Sequence, residues 1–417
     1  MRDARLRIFV NERPVDVAPG ATVGQAVEAL DQDLGGLLSH GKAYVTDGVG
    51  RMIDAADLVG EAGAVFRVVV AAGRGAPVLS KENLRRWPKA ELHVHLDGSL
   101  RPATMLELAR EQHVPLPADT PDALARAMAG MRAKSLAEYL AKYDLTLAVM
   151  QTAAALERIA YELVVDSAAE QVRYLEVRYS PLLHQPALSL SDAIEAPLRG
   201  CARAAVETGT KVGLIVCAIR SLPPSRSVEL AHVAGEYRSA GLVGFDLAGP
   251  ERGYPAEEHR AAFAAAREEG LACTCHAGEA DGPNSIRQAL DACGAQRIAH
   301  GTRLEEDPGL LARVIEQRIP LEMCLTSNLH TGTVASLGAH PLRRYLEQGV
   351  VVTLSTDARL VNGVSLTDEY HLAHTVLGLG RDELVRLVLN ACESAFLPEF
   401  ERVALVARME SELENIT

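Results

Sequence analysis

No stretch of this 417-residue chain is long and apolar enough to span a bilayer, and its start, Met1-Arg2-Asp3-Ala4-Arg5-Leu6, lacks the apolar run of a secretory signal. Both absences predict a cytoplasmic protein. Basic residues are also scarce: 42 Lys and Arg against 55 Asp and Glu leave a net charge of −13. That balance argues against a nucleic-acid backbone or an anionic membrane as the main partner. The seven cysteines are an odd number without framework spacing, which excludes a disulfide scaffold and suits a reducing compartment. Cys273 and Cys275 are the one close pair. They do not form a C-x-x-C, and on a strand they point away from the face of Thr274 and His276, so they read as small core residues. Internal repeats and low-complexity segments are missing as well.

What is present is ordinary globular chain, 48% hydrophobic and 23% charged. Its length exceeds the usual single-core limit, which predicts one large barrel or two domains. Residues 5–18 read as two short strands around an Asn11-Glu12 turn, and Thr22 offers an N-cap for a helix through about Leu30. Strands follow at Lys42–Thr46 and Ala64–Val70. This ββαββ order over residues 1–73 resembles a ubiquitin-like β-grasp module, closest to the small sulfur carriers. Those carriers act through a free C-terminal Gly-Gly, whereas Gly73-Arg74-Gly75 here runs on into more chain. The expected role is therefore a packing or docking accessory for a protein partner. The Gly/Pro-bearing stretch 74–84 is the expected linker.

From residue 85 to 417, apolar strand-like runs alternate with helical stretches. The runs are Ala90–Leu96, Val172–Tyr179, Lys211–Ile219, Gly241–Leu247, Leu271–His276, Arg297–His300, Pro320–Leu325 and Val350–Thr356. Eight buried strands spaced by helices predict a parallel (β/α)8 barrel, an α/β fold of the TIM type. The long first connection predicts extra helices over the barrel mouth, one of them Ser135–Asp144 with Tyr139 and Tyr143 on one face. Ser365-Leu-Thr-Asp368 reads as a capping box. His371 and His374 beyond it read as surface or packing histidines, His184 as a loop histidine, and 399–414 as a final amphipathic helix.

In such barrels the chemistry sits at the C-terminal strand ends. In Leu92-His93-Val94-His95-Leu96-Asp97-Gly98 the imidazoles alternate with apolar residues, so both share one face of a strand. The other ends read Asp246-Leu-Ala-Gly249, His276-Ala-Gly-Glu279, His300-Gly301, Thr326-Ser327-Asn328 and Ser355-Thr356-Asp357. Burying these polar groups unpaired would be costly. One divalent ion, zinc above all, answers them together, with His93, His95, His276 and Asp357 as ligands and one position open to water. Glu176 and Arg178 share a face of the second strand and read as a buried ion pair or as participants, and Asp246 reads as a support to the site.

Taken in order, these motifs, with Leu175-Glu-Val-Arg-Tyr-Ser-Pro181, resemble the adenosine deaminase family from about residue 85 to near the C-terminus. They are unlike the cytidine-type zinc deaminases, whose His-x-Glu and Cys-x-x-Cys pattern is absent. The resemblance implies hydrolytic deamination of a 6-aminopurine nucleoside by a zinc-activated water, one Zn2+ per chain. It assigns Glu279 to protonate purine N1, and His300 to orient and help deprotonate the water. Asp357 both ligates the metal and accepts a hydrogen bond from the water. Substrate contacts are expected from Asp97 to the ribose hydroxyls, from the Gly249 backbone N–H to N3, and from His95, Ser327, Tyr139 and Tyr143.

Two positions depart from the family. An Asp that reads N7 is replaced by Ala358, leaving Arg359 or Asn362 as expected donors. Tyrosines at 139 and 143 stand where the family tends to carry phenylalanines. The competing expectations are another 6-aminopurine (adenine, an aminodeoxyfutalosine-type compound or a modified nucleoside) and a non-catalytic binding protein that keeps the fold.

Overall fold

A computed structural model of the chain describes residues 5–39, 43–48, 52–60, 62–70, 79–130, 139 and 142–416. Two compact units separate: one comprises the residues up to Ser80 with 336–338 and 371–381, the other the remainder from Lys81. Gly73-Arg74-Gly75, residues 74–78 of the expected linker and most of the Ser135–Asp144 stretch lie outside the described residues, while residues 81–84 of that linker belong to a short helix, Lys81–Arg86.

In the first unit β1 (Leu6–Val10), β2 (Arg13–Val17), β3 (Ala43–Asp47), β4 (Met52–Ile53) and β5 (Val65–Val70) form one sheet in the order β2-β1-β5-β3-β4. β1 and β5 pair in parallel and the other neighbours antiparallel, the arrangement of a β-grasp module. Thr22 and Gln25 make a reciprocal capping box that starts the helix Val23–Leu30. A second helix, Gln32–Ser39, and the short β4 were not expected from the sequence. Ile8, Val10, Val23, Val27 and Val45 form the centre of this small core. His374 is a packing residue, accepting from the Leu79 N–H and bonding the Leu379 carbonyl.

The second unit is a closed parallel barrel. Its strands are β6 (Lys89–His95), β7 (Val172–Tyr179), β8 (Lys211–Ile219), β9 (Leu242–Ala248), β10 (Ala272–Ala277), β11 (Arg297–His300), β12 (Leu321–Met323) and β13 (Val352–Leu354). They pair in chain order, and closure comes from a parallel bridge between Val94 and Asp357. Helices connect successive strands, as parallel neighbours require. The β6–β7 connection carries Pro102–Gln112, Pro121–Gly130, Tyr143–Ala148 and Ala153–Ala169. All seven cysteines are free and buried.

Three local expectations are corrected. Thr326, Ser327 and Asn328 do not end a strand. β12 stops at Met323, and they lie in the helix Leu325–His330, whose first N–H groups are taken by the Glu369 carboxylate. Glu176 and Arg178 are not partners: Glu176 meets Arg297, while Arg178 meets Asp246 and Glu322. All three pairs lie inside the barrel, out of reach of any reading of one strand. His184 is wholly buried in a short 3-10 turn, Pro181–His184.

The helices Ala153–Ala169 and Leu190–Thr208 cross at Gly200, where an added Cβ would lie 2.1 Å from the Glu157 carbonyl oxygen. Gly200→Ala therefore forces the helices apart and is expected to lose about 1–3 kcal/mol in urea unfolding, with the same unfolded baseline.

Candidate active site

The polar strand ends meet at one mouth. A cavity of about 300 Å³ is lined there by His95, Asp97, Tyr139, Tyr143, Gly249, His276, Glu279, His300 and Asp357, among others. His93 lies beneath them, fully buried.

The donor atoms of His93, His276, His300 and Asp357 all lie within 4.8 Å of one another. His95 Nε2 joins them, 3.2 Å from His276 Nε2 and 3.4 Å from Asp357 Oδ1. Buried carboxylates orient two of the rings. Asp246 stands 2.9 Å from His276 Nδ1, and Glu322 stands 3.1 Å from His93 Nδ1. Each carboxylate favours a proton on the Nδ1 it faces and leaves a lone pair on Nε2. His93 Nε2 then faces Asp357 Oδ1 at 3.3 Å, lone pair against carboxylate, and neither ring nitrogen of His93 makes a well-aligned hydrogen bond. Acceptors gathered in this way around one buried point fit a cation.

Burial opposes charge on Asp246, yet His276 and Arg178 hold its carboxyl well below the usual range. Burial also opposes charge on Asp357, and the imidazoles around it, His93 foremost, hold it well below that range too. Burial pushes His95 and His300 well below the ordinary imidazole value, toward the neutral form. Glu279 shifts the other way. Burial raises its carboxyl well above the usual value, helped by the charges of Asp357 and Glu251. Asp97 is raised to about 7, mainly by burial.

Glu279 sits in a loop held by a residue the sequence reading missed. The Glu251 carboxylate accepts from four consecutive backbone N–H groups: Gly278 at 2.6 Å, Glu279 at 3.0 Å, Ala280 at 2.6 Å and Asp281 at 2.8 Å. Glu322 was missed likewise, although a lone acid inside Pro320–Leu325 was a usable signal. Ser327 does not line the cavity; it is fully buried and donates to Asp357 Oδ2 at 2.5 Å. The expected N7 donors are also engaged. Arg359 bonds Glu91 and Glu170, while Asn362 donates to the Thr356 carbonyl and accepts from Tyr139. Tyr143 keeps its place at the cavity, its ring centroid 5.9 Å from that of Tyr139.

A closed parallel barrel that gathers imidazoles and a carboxylate around one cation point, beside an acid whose carboxyl burial raises well above its usual value, defines a metal-dependent hydrolase. A family model described as adenosine deaminase matches residues 88–412. An adenosine deaminase from Mycobacterium sp. (strain KMS) is 41% identical over 347 residues, covering 79% of this chain and 95% of that one. A probable adenosine deaminase from Dictyostelium discoideum is 39% identical over 316 residues, covering 75% of this chain but only 41% of that longer relative. Among solved structures, an N6-mAMP deaminase from Arabidopsis superposes with a TM-score of 0.70 at 30% identity, over 79% of this chain and 99% of that one. The chain belongs to the adenosine deaminase family.

Replacing Asp246 by Asn would free the His276 ring to turn. Metal affinity is expected to fall about 10–100-fold, read by competition with a chromogenic chelator, with circular dichroism unchanged.

Proposed function

We propose that this chain hydrolyses a 6-aminopurine nucleoside, adenosine or deoxyadenosine, to the 6-oxo nucleoside and ammonia. The observation that carries this reading is the placement of Glu279, a carboxyl kept protonated by burial, in the cavity where the metal-ligating groups meet. His93, His95, His276 and Asp357 would hold the metal, and three imidazoles with one carboxylate suit zinc. Bound there, the ion supplies the Lewis acidity that makes water reactive near neutral pH.

The rest is the work of side chains. As the water oxygen bonds to C6, Glu279 gives its proton to N1 and cancels the charge forming on the ring. His300, with Nε2 3.8 Å from Glu279 Oε2, faces the same atoms and holds the attacking oxygen in line. Glu279, left as a carboxylate, takes a proton from the adding water and passes it to N6; the C6–N6 bond breaks, ammonia leaves, and the remaining hydroxyl proton returns to Glu279 as the C6 oxo group forms. Asp97 and Gly249 line the cavity; in this reading Asp97 serves the ribose hydroxyls and the Gly249 backbone N–H serves N3.

A second 6-aminopurine, such as a modified nucleoside, is favoured by one observation. Ala358 offers no polar side chain, and the residues after it are occupied elsewhere. A substrate panel followed by the ultraviolet shift from amine to oxo product separates the two.

Glu279→Gln is expected to keep its metal and lose about 10²–10⁴ in kcat. Full activity in that variant would remove the acid from the mechanism. With Arg359 and Asn362, in the short helix Arg359–Asn362, bonded to other groups, the 7-deaza analogue of adenosine should be deaminated within severalfold of adenosine itself. A loss of about 10²-fold or more would mean that another group reads N7.

A further inference from the structure

His300 offers a nitrogen both to the metal cluster and to the reacting atoms, and those roles need different tautomers. As a ligand or base through Nε2 it must carry its proton on Nδ1; as a donor it must carry it on Nε2. A chain of buried groups behind the ring decides between them. It starts at a backbone amide, whose polarity is fixed.

Leu342 opens the helix Leu342–Gln348, so its N–H has no acceptor within the helix. It donates instead to His340 Nδ1 at 3.2 Å. His340 Nδ1 must then be an acceptor, which places the neutral ring's proton on Nε2. Burial pushes the His340 imidazole down to about 3, so the ring is neutral at working pH. His340 Nε2 lies 3.0 Å from Asn328 Oδ1, which also receives the Thr302 hydroxyl at 3.0 Å. Two donors on one amide atom identify it as the oxygen. The other end, Asn328 Nδ2, is therefore the N–H2 group, and it points at His300 Nδ1 at 3.1 Å. His300 Nδ1 accepts, and the proton sits on Nε2. His340, Asn328 and His300 are all nearly inaccessible to solvent.

We propose that His340 and Asn328 are positioning residues that hold His300 as its Nε2–H tautomer, making it a hydrogen-bond donor toward the attacking oxygen rather than a base or a fourth imidazole ligand. This rests on the deaminase reading above and, in place of the expected role of orienting and helping to deprotonate the water, gives His300 the role of orienting it as a donor. The proton stays on His300 while negative charge grows on the oxygen, so no transfer is involved. The same assignment removes His300 from the ligand set and leaves His93, His95, His276 and Asp357.

The test uses the metal-loaded, full-length protein with 15N-labelled histidine. Two-bond 1H–15N correlations should show His300 protonated at Nε2 in the wild type. In Asn328→Asp the carboxylate can only accept, so the proton should move to Nδ1. That variant should lose about 10²-fold or more in kcat with a much smaller change in KM. His340→Gln, whose amide can accept from Leu342 and donate to Asn328, should keep the wild-type tautomer and kcat within severalfold, whereas His340→Ala should not. An Nδ1–H signal for His300 in the wild type overturns the proposal, and so does Asn328→Asp with wild-type kcat. Because the tautomer is read without turnover, failure to find a purine substrate would overturn the deaminase reading and leave the relay standing.

Discussion

The site depends on two buried carboxylates pinned against two imidazoles. Asp246 fixes His276 and Glu322 fixes His93, and Arg178 lies between the carboxylates, 3.2 Å from one and 2.6 Å from the other. Burying such charges carries a penalty of several kcal/mol per ion, which only dense mutual pairing offsets. The interior meets that condition: Glu322 also receives Arg297 and the Thr274 hydroxyl, and Arg297 continues to Glu176. Removing one member would leave its partners charged and unpaired in the centre of the barrel. The network therefore works less as a source of stability than as a rigid frame that aims Nε2 lone pairs at one point.

Electrostatics then sorts groups of the same chemistry into different roles. Asp357 and Glu279 line one cavity, yet imidazoles surround the first and burial among other acids governs the second. One stays ionised and suits a cation; the other stays protonated and suits an acid. The imidazoles divide likewise. Those facing a carboxylate through Nδ1 present a lone pair, and the one facing a carboxamide through Nδ1 presents a proton.

The barrel and the polar side chains that meet at its mouth were legible because strand periodicity puts His93 and His95 on one face and because strand ends are short and polar. Each of the eight expected runs overlaps an observed strand, with boundaries moved by up to two residues, as at Pro320–Leu325 and Val350–Thr356. What stayed hidden depends on partners remote in the chain. Thr326–Asn328 turned out helical because Glu369, more than forty residues on, caps that helix. Ser327 was expected at the substrate and instead serves Asp357. Glu251 has no local pattern that marks it; its role exists only because the loop 278–281 curls its N–H groups around one carboxylate. The Gln32–Ser39 helix was missed for a different reason: Gly35 and Gly36 inside it weaken the local helical signal.

Barrel closure and site assembly are one event. The first and last strands meet where the His95 N–H donates to the Asp357 carbonyl at 2.6 Å and the Asp357 N–H donates to the His93 carbonyl at 3.0 Å. Two imidazole-bearing residues from the start of the barrel and a carboxylate-bearing one from its end are thus joined backbone to backbone. The geometry carries strain, since Asp357 has φ 63° and His300 φ 66°, a left-handed conformation that costs a non-glycine residue about 1–3 kcal/mol. Relaxing either residue to an extended backbone would turn its side chain away from the cavity, and at Asp357 would break the paired hydrogen bonds that close the sheet. The strain is held in place by closure itself. A half-folded barrel, with β13 unpaired from β6, therefore would not gather these side chains, and a cation held by them would favour the closed sheet.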